Sequence, residues 1–97
     1  MAGYKLSETE LKQALNSLPG WQIKEGKLYK EYKFNSFATA LGWMVTVGVH
    51  AEIMEHHPEW FNVYSTVWVN LVTHDNGNAI SNLDIELAKK MEEIYSS

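Results

Sequence analysis

The fold of this chain is decided by its longest apolar stretch, Phe37-Ala-Thr-Ala-Leu-Gly-Trp-Met-Val-Thr-Val-Gly-Val-His-Ala-Glu-Ile-Met-Glu-His-His-Pro58. Asn35 or Ser36 can cap a helix at its start, because their side chains accept a hydrogen bond from the first turn. Pro58 disfavours the α conformation at the residue before it. We therefore predict one helix that runs from about Phe37 to about His56.

This helix carries two apolar stripes instead of one. The first comprises Phe37, Leu41, Met44, Val45 and Gly48, and the second comprises Ala40, Trp43, Val47, Ala51 and Met54. A helix that is apolar around most of its girth must be covered on more than one side, and one sheet in a 97-residue domain covers only one side. Either the helix prediction is poor, or its second face packs on another subunit, which we favour. Gly42 and Gly48 each cost roughly 1 kcal/mol inside a helix, and a closely approaching backbone would explain that cost.

The segments before this helix predict a shorter helix and a β-hairpin. Ser7-Glu-Thr-Glu10 has the form of a capping box. Apolar residues then repeat at helical spacing, at Leu11, Leu15 and Leu18, until Pro19-Gly20 ends the helix. Residues 21–24 and 27–34 alternate between apolar and polar side chains around the turn signal Glu25-Gly26, which is typical of a hairpin.

The segments after the long helix predict two more strands and a last helix. Residues 60–74 are rich in β-branched and aromatic side chains, but fifteen residues are long for one strand, so we place a break near residues 64–66. Residues 75–78 form a loop, and Ser81-Asn-Leu-Asp84 is a second capping box. The order is αββαββα. We predict an α+β two-layer sandwich in which a four-stranded antiparallel sheet carries helices on one face, with residues 1–97 as a single domain.

Composition excludes several functions. The chain has no cysteine, so disulfides, thiolate metal sites and thiol catalysis are ruled out. The net charge is −4, there is no arginine, and the eight lysines are dispersed, which disfavours nucleic acids and anionic membranes as partners. No apolar run approaches the roughly 20 residues that span a bilayer. We expect a soluble cytoplasmic protein.

Three of the four histidines fall in or near one stretch, as His56, His57 and His74. Imidazole can give and take protons near neutral pH. On the predicted helix Glu52 and His56 are four residues apart, so the carboxylate can reach the imidazole and orient it. His74 follows a strand and can approach the same cleft from a distant part of the chain. This pattern predicts acid/base catalysis by imidazole.

Other interpretations of these residues remain open. Two histidines at the surface end of a helix are, taken alone, more often solvated residues than catalysts. The three histidines with Glu52 could also bind zinc or iron, although adjacent helical side chains point about 100° apart, which suits one metal poorly. Asp84 is expected to cap the last helix whatever else it does, and His50 to be structural or exposed.

The chain resembles the pterin-4α-carbinolamine dehydratases. The resemblance rests on Ala51-Glu-Ile-Met-Glu-His-His-Pro-Glu-Trp-Phe-Asn-Val-Tyr64, on Thr73-His74 and on Asp84, and it extends over residues 6–95. It implies the sandwich predicted above, assembled as a homodimer or homotetramer, and the dehydration of a 4a-hydroxytetrahydropterin, which recycles the cofactor of aromatic amino-acid hydroxylases. No cofactor or metal is implied.

The resemblance also implies a role for each site residue. His56 and His74 would donate protons, His57 would bind the pterin and act as base, and Glu52 would orient His56. Other expected substrate-binding residues are Glu55, Thr73 and Asp75, with Pro58 and Asp84 in structural or orienting roles. One departure concerns the loop before Asp84, which has nine residues where the commonest family members have eight. Some relatives bind transcription factors or act as assembly factors, so a protein-binding role is the alternative.

Overall fold

A computed structural model describes residues 3–97 and confirms the predicted order of elements. The helices are α1 (Glu8–Leu15), α2 (Phe37–Met54) and α3 (Asn82–Ser96), with a 3₁₀ turn at His74–Asn76. The strands are β1 (Gln22–Lys24), β2 (Lys27–Lys33), β3 (Glu59–Val63) and β4 (Thr66–Leu71). The sheet has the strand order β1-β2-β4-β3 and every neighbouring pair is antiparallel.

Alternation along the central strands creates one buried face of the sheet. In β2, Leu28 and Tyr32 are fully buried, and β4 contributes Val67, Val69 and Leu71 to the same face. Helix residues and the segment before β1 complete the core, chiefly Leu18, Trp21, Ala40, Trp43, Val47, Ala51, Leu87, Ala88 and Met91. The helices therefore cover one face of the sheet, as predicted for an α+β sandwich.

Lys30 is the polar exception on the buried side of β2, and a carboxylate of α3 pairs with it. Its Nζ lies 2.7 Å from Glu92 Oε2 and donates to the backbone oxygen of Pro19 at 2.8 Å. Glu92 also accepts hydrogen bonds from the indole of Trp21 and from the hydroxyl of Tyr32. Burial, reinforced by Glu92, raises the pKa of Tyr32. Glu92 thus provides a hydrogen-bond partner for the Trp21, Lys30 and Tyr32 side chains, and these contacts attach α3 to the hairpin.

The two predicted stripes of α2 have different environments, except that Met44 of the first stripe also packs against the core. The second stripe packs in the core through Ala40, Trp43, Val47 and Ala51. Large side chains opposite it are solvent-exposed in the single chain, at Phe37, Leu41, Val45, Val49 and Ile53. Apart from its chain neighbours and the adjacent backbone of α2 itself, a Cβ added at Gly42 or Gly48 would meet no atom of the described chain within 4 Å. The chain itself therefore supplies no other backbone close to either glycine, and the predicted contact with another subunit stays a prediction.

By length and composition alone, α2 could cross a membrane, contrary to the expectation that no apolar run comes near that length. It has 18 residues with a mean hydropathy of 1.3, and 22% of them are buried inside the fold. A core helix passes the same test. Because Trp43 and Val47 pack against the sheet and α3, we interpret α2 as a core helix with one uncovered side.

Two helix ends were predicted incorrectly. α2 ends at Met54 and not near His56, because Glu55 adopts the left-handed conformation (φ 55°) and its N–H bonds back to Ala51 and Glu52. The backbone N–H of His56 also returns to the Ala51 carbonyl, at 3.0 Å, which is the pattern of a helix that terminates with a left-handed residue. α1 likewise ends at Leu15, and the buried Leu18 lies in the following turn.

The capping predictions are confirmed at every helix. Ser36 caps α2, and both predicted capping boxes form, with Ser7 and Glu10 at α1 and with Ser81 and Asp84 at α3. Asp84 is fully buried, unlike Glu10. The start of α3 therefore lies inside the protein, beside the residues that follow α2 and β4.

Candidate active site

A cavity of about 340 Å³ lies where the end of α2, the start of β3 and the exit of β4 meet. This volume is at the lower end of the range for small-molecule sites. Its walls are Glu55, His56, His57, Pro58, Glu59, Val72, Thr73, His74, Asp75 and Leu83. The three predicted histidines thus share one cavity with three carboxylates and three apolar side chains, which suits a small polar heterocycle. Another cavity, of about 280 Å³ between α2 and the end of α3, has no histidine or carboxylate side chain in its wall.

The buried carboxylate of Asp84 anchors His56. Asp84 Oδ1 lies 2.6 Å from His56 Nε2. Its Oδ2 accepts hydrogen bonds from Thr73 Oγ1 at 2.8 Å and from the Ser81 backbone N–H at 2.9 Å. An ionised carboxylate can only accept a hydrogen bond, so His56 donates from Nε2. Nδ1 is the ring nitrogen that Asp84 does not contact. Asp84 is therefore both the predicted cap of α3 and the residue that fixes the tautomer of His56.

Two hydroxyl groups extend this network, one from Thr73 in the cavity wall and one from Ser81 outside it. Thr73 has one hydroxyl hydrogen and gives it to Asp84, so in the 2.6 Å contact between Thr73 Oγ1 and Ser81 Oγ the serine is the donor. Ser81 Oγ in turn accepts from the Leu83 backbone N–H at 3.1 Å. Buried polar groups are costly unless they are hydrogen-bonded. This chain of donors and acceptors holds Asp84, and through it His56, in one orientation.

The predicted pairing of Glu52 with His56 is wrong. Glu52 Oε1 lies 2.8 Å from Nε2 of His57 instead. The i, i+4 rule applies only inside a continuous helix, and the left-handed Glu55 turns the chain before His56 is reached. The Glu52 and His57 side chains are 80% and 65% exposed, so this pair is at the surface, whereas His56 is buried. The expectation that the adjacent histidines point in different directions is confirmed by their different partners.

His74 reaches the cavity from the loop between β4 and α3. Thr73 pairs with Ala79 across the loop, with Thr73 N to Ala79 O at 2.9 Å, and the 3₁₀ turn at His74–Asn76 lies inside this loop. His74 Nδ1 lies 2.8 Å from Asn78 Oδ1, and its Nε2 lies 3.4 Å from Glu59 Oε2. Each histidine of the cavity is therefore held at one nitrogen by a side-chain oxygen at 2.6–2.8 Å.

Four of the other predicted residues line the cavity and two do not. Glu55, Thr73, Asp75 and Pro58 line the cavity, whereas Glu52 and Asp84 lie behind His57 and His56. Tyr64, which belongs to the matching motif, lies at an exposed turn with φ 51° and does not line the cavity. His50 is partly exposed on α2, away from the cavity wall.

Sequence reasoning missed Glu59. This residue lines the cavity, approaches His74, and forms an ion pair with Lys27 of β2, with Nζ and Oε1 2.6 Å apart. Its position directly after His-His-Pro was the available signal. Asn78 was also missed, because a loop asparagine gives no sign in the sequence of which side chain it will meet.

A metal centre built from these residues finds no geometric support in the described chain. Among the side chains described within residues 3–97, no group of three or more His, Asp or Glu is arranged to hold a metal ion. The three histidines instead face different carboxylate or amide oxygens. Their arrangement suits proton transfer to and from a bound molecule.

The fold and the cavity together define a small α+β protein with a cleft lined by three histidines. The family model described as Pterin 4 alpha carbinolamine dehydratase matches residues 4–94. The chain belongs to this family, as the resemblance predicted.

Relatives from the genus Brucella match almost the whole chain. Proteins of Brucella ovis and of Brucella melitensis biotype 1, named provisionally as pterin-4-alpha-carbinolamine dehydratases, are each 44% identical over 96 residues, which covers 97% of this chain and 98% of theirs. A crystal structure from Brucella melitensis, described as a transcriptional coactivator/pterin dehydratase, superposes with a TM-score of 0.89 at 43% identity, covering 94% of this chain and 98% of that one. The two relatives match this chain over almost their whole length, and the solved structure also shares its fold.

Proposed function

We propose that this protein dehydrates 4a-hydroxytetrahydropterins to quinonoid dihydropterins, and thereby recycles the pterin cofactor of aromatic amino-acid hydroxylases in the cytoplasm. The observation that carries the proposal is the convergence of His56, His57 and His74 on one cavity, each held at one nitrogen by an oxygen. Membership of the dehydratase family supports the same reaction.

The reaction needs one proton donor and one proton acceptor. The lone pair on pterin N5 forms the N5–C4a double bond as the C4a–O bond breaks, and the hydroxyl leaves as water once an imidazolium has protonated it. A neutral imidazole then takes a ring N–H proton from the cation. One proton is given and one is taken, so the elimination balances without a metal or a redox cofactor. Each such step typically contributes 10²–10⁴-fold to the rate.

The anchored nitrogens suggest how the roles are divided. His56 and His74 are the proposed acids, one for each 4a stereoisomer, and His57 binds the pterin and serves as base. Since Asp84 holds Nε2 of His56, the nitrogen available for proton transfer is Nδ1. The same reasoning assigns Nδ1 to His57, whose Nε2 donates to Glu52. Carboxylates in the wall, at Glu55, Glu59 and Asp75, can accept the N–H groups of the pteridine ring.

A rate measurement with histidine variants tests this proposal. Chelator-treated protein should accelerate dehydration of a chemically generated 4a-hydroxytetrahydropterin. His56→Ala and His74→Ala should each lower that rate at least about tenfold, because each removes a general acid. His50→Ala is the matched control, since this histidine lies outside the cavity. Unchanged turnover in both cavity variants would refute the assignment.

We further propose that the exposed stripe of α2 packs against a second copy of the chain in a homodimer or homotetramer. The stripe repeats every four residues along the whole helix, at Phe37, Leu41, Val45, Val49 and Ile53. Contiguous apolar surface of this kind marks interaction sites on soluble proteins. Gly42 and Gly48 leave open space along α2, which a neighbouring helix could occupy.

Protein binding is the second candidate function. The name of the Brucella melitensis structure includes transcriptional coactivator, and the same α2 stripe could bind a heterologous protein. Capture of such a partner by a protein that shows no dehydratase turnover would favour this function. Turnover that depends on His56 and His74 would favour the enzyme.

A further inference from the structure

The side chain of Asn78 contacts His74 from within the loop between β4 and α3. Asn78 Oδ1 lies 2.8 Å from His74 Nδ1. Asn78 has a positive φ of 60°, a conformation that asparagine adopts more readily than most residues. Because the carbonyl oxygen accepts, Nδ1 of His74 carries the hydrogen in this bond.

A second acceptor approaches the opposite nitrogen of the same ring. Glu59 Oε2 lies 3.4 Å from His74 Nε2, and Lys27 holds the other oxygen of Glu59 at 2.6 Å. Only the imidazolium has a hydrogen on both nitrogens, so the two acceptors match the form of His74 that can give up a proton. Glu59 lines the cavity and Asn78 does not, so the Nε2 hydrogen is the one on the cavity side.

The two contacts therefore distinguish the nitrogens of His74. A proton that leaves from Nε2 produces the neutral tautomer with its hydrogen on Nδ1, and Asn78 already accepts that hydrogen. If Asn78 were absent, the exposed ring could rotate, since 66% of its surface is open to solvent. It could then offer either nitrogen to a bound molecule.

We propose that Asn78 is the positioning residue of His74, and that it selects Nε2 as the nitrogen that exchanges a proton with the substrate. This inference rests on the proposed function, because it assigns His74 a part in the reaction. Asn78 itself touches no reacting atom. Its effect is exerted through His74 alone.

Variants of Asn78 test the proposal in the full-length protein. Asn78→Gly removes the acceptor and keeps a residue that tolerates positive φ, while Asn78→Asp keeps an acceptor oxygen. We expect Asn78→Gly to lower kcat about two- to tenfold, the range that one orienting hydrogen bond supports, with little change in KM. Asn78→Asp should retain at least about half of the rate. Asn35→Gly, at an exposed loop position outside the cavity wall, controls for the general effect of Asn→Gly.

A double-mutant comparison shows whether the effect passes through His74. Adding Asn78→Gly to His74→Ala should cause no further loss if Asn78 acts only by positioning that ring. An Asn78→Gly rate equal to that of the unsubstituted protein, or an equal loss in the His74→Ala background, would overturn the proposal.

Nitrogen-15 NMR of the histidine rings supplies a readout independent of turnover. The unsubstituted protein should show His74 with its hydrogen on Nδ1 when neutral, and Asn78→Gly should lose that preference. A neutral ring with its hydrogen on Nε2 in the unsubstituted protein would overturn the proposal. If the protein has no dehydratase activity, the proposed function fails, and the NMR result alone decides whether Asn78 positions His74.

Discussion

Replacing Asp84 with asparagine should reverse the hydrogen bond that fixes His56. The change keeps the shape of the side chain and turns one acceptor oxygen into an NH₂ donor. The Ser81 backbone N–H can only donate, so the amide oxygen must stay on the side of Ser81 and Thr73. The NH₂ group then faces His56 Nε2, which must accept, and the imidazole hydrogen moves to Nδ1.

The expected loss of stability follows from the three hydrogen bonds of Asp84. Hydrogen bonds to a charged group contribute about 1.5–3 kcal/mol each, and neutral ones about 0.5–1.5 kcal/mol. Weakening three buried bonds by this difference gives about 3–4.5 kcal/mol, because Asp84 has no exposed surface at which water could replace them. Domains of this size are typically stable by about 5–15 kcal/mol, so Asp84→Asn should fold.

The assay compares dehydration rate with urea unfolding. Asp84→Asn should lower the rate at least about tenfold for the stereoisomer that His56 serves. The proton-donating imidazolium carries a hydrogen on both nitrogens, and an NH₂ group that faces Nε2 disfavours this form. Glu10→Gln is the matched control, because it makes the same change from carboxylate to amide at the equivalent position of the α1 capping box, outside the cavity wall. Its rate should stay within about threefold of the unsubstituted protein, since a lost cap interaction costs only about 1 kcal/mol of helix stability. An Asp84→Asn rate within twofold of the unsubstituted protein would refute the reasoning.

Three further predictions concern other parts of the molecule. Glu52→Ala should lower the free energy of unfolding by less than about 1 kcal/mol, because its pair with His57 is exposed; a larger loss in urea titration would contradict this. Burial and Glu92 raise the pKa of Tyr32, so the folded protein holds the phenol proton more tightly than the unfolded chain does. The free energy of unfolding is therefore unaffected by the ionisation of this group below about pH 10, and it falls as the pH rises further and the unfolded chain loses the proton. Tyr32→Phe should flatten this alkaline decline, and an unchanged slope between pH 8 and about 11 would exclude Tyr32 as its source. Val45→Asp, in the exposed stripe of α2, should reduce the molar mass measured by light scattering, and an unchanged mass would remove this stripe from the proposed interface.

Local signals in the sequence were sufficient for the elements and their order. Capping boxes at Ser7 and Ser81 depend on residues three positions apart, and the alternation in β2 and β4 reflects burial of one sheet face. Both are short-range consequences of backbone geometry. The ends of α1 and α2 were less predictable. Glu55 adopts a left-handed conformation that glutamate does not favour. Pro58 therefore indicated only the last position at which α2 could end.

The sequence by itself determined the fold class, the family and the three histidines that share the cavity, because residue type, periodicity and motif spacing are properties of the chain. Tertiary structure alone decided which oxygen each histidine meets. His56 bonds to Asp84, 28 residues away, and not to Glu52 on its own helix. The physical reason is that the partner of His56 is set by the distance between packed elements, and the partners of His57 and His74 are set by the way the chain turns after α2 and β4. A single left-handed residue after α2 redirects both imidazoles, and no spacing rule within one helix can anticipate that change.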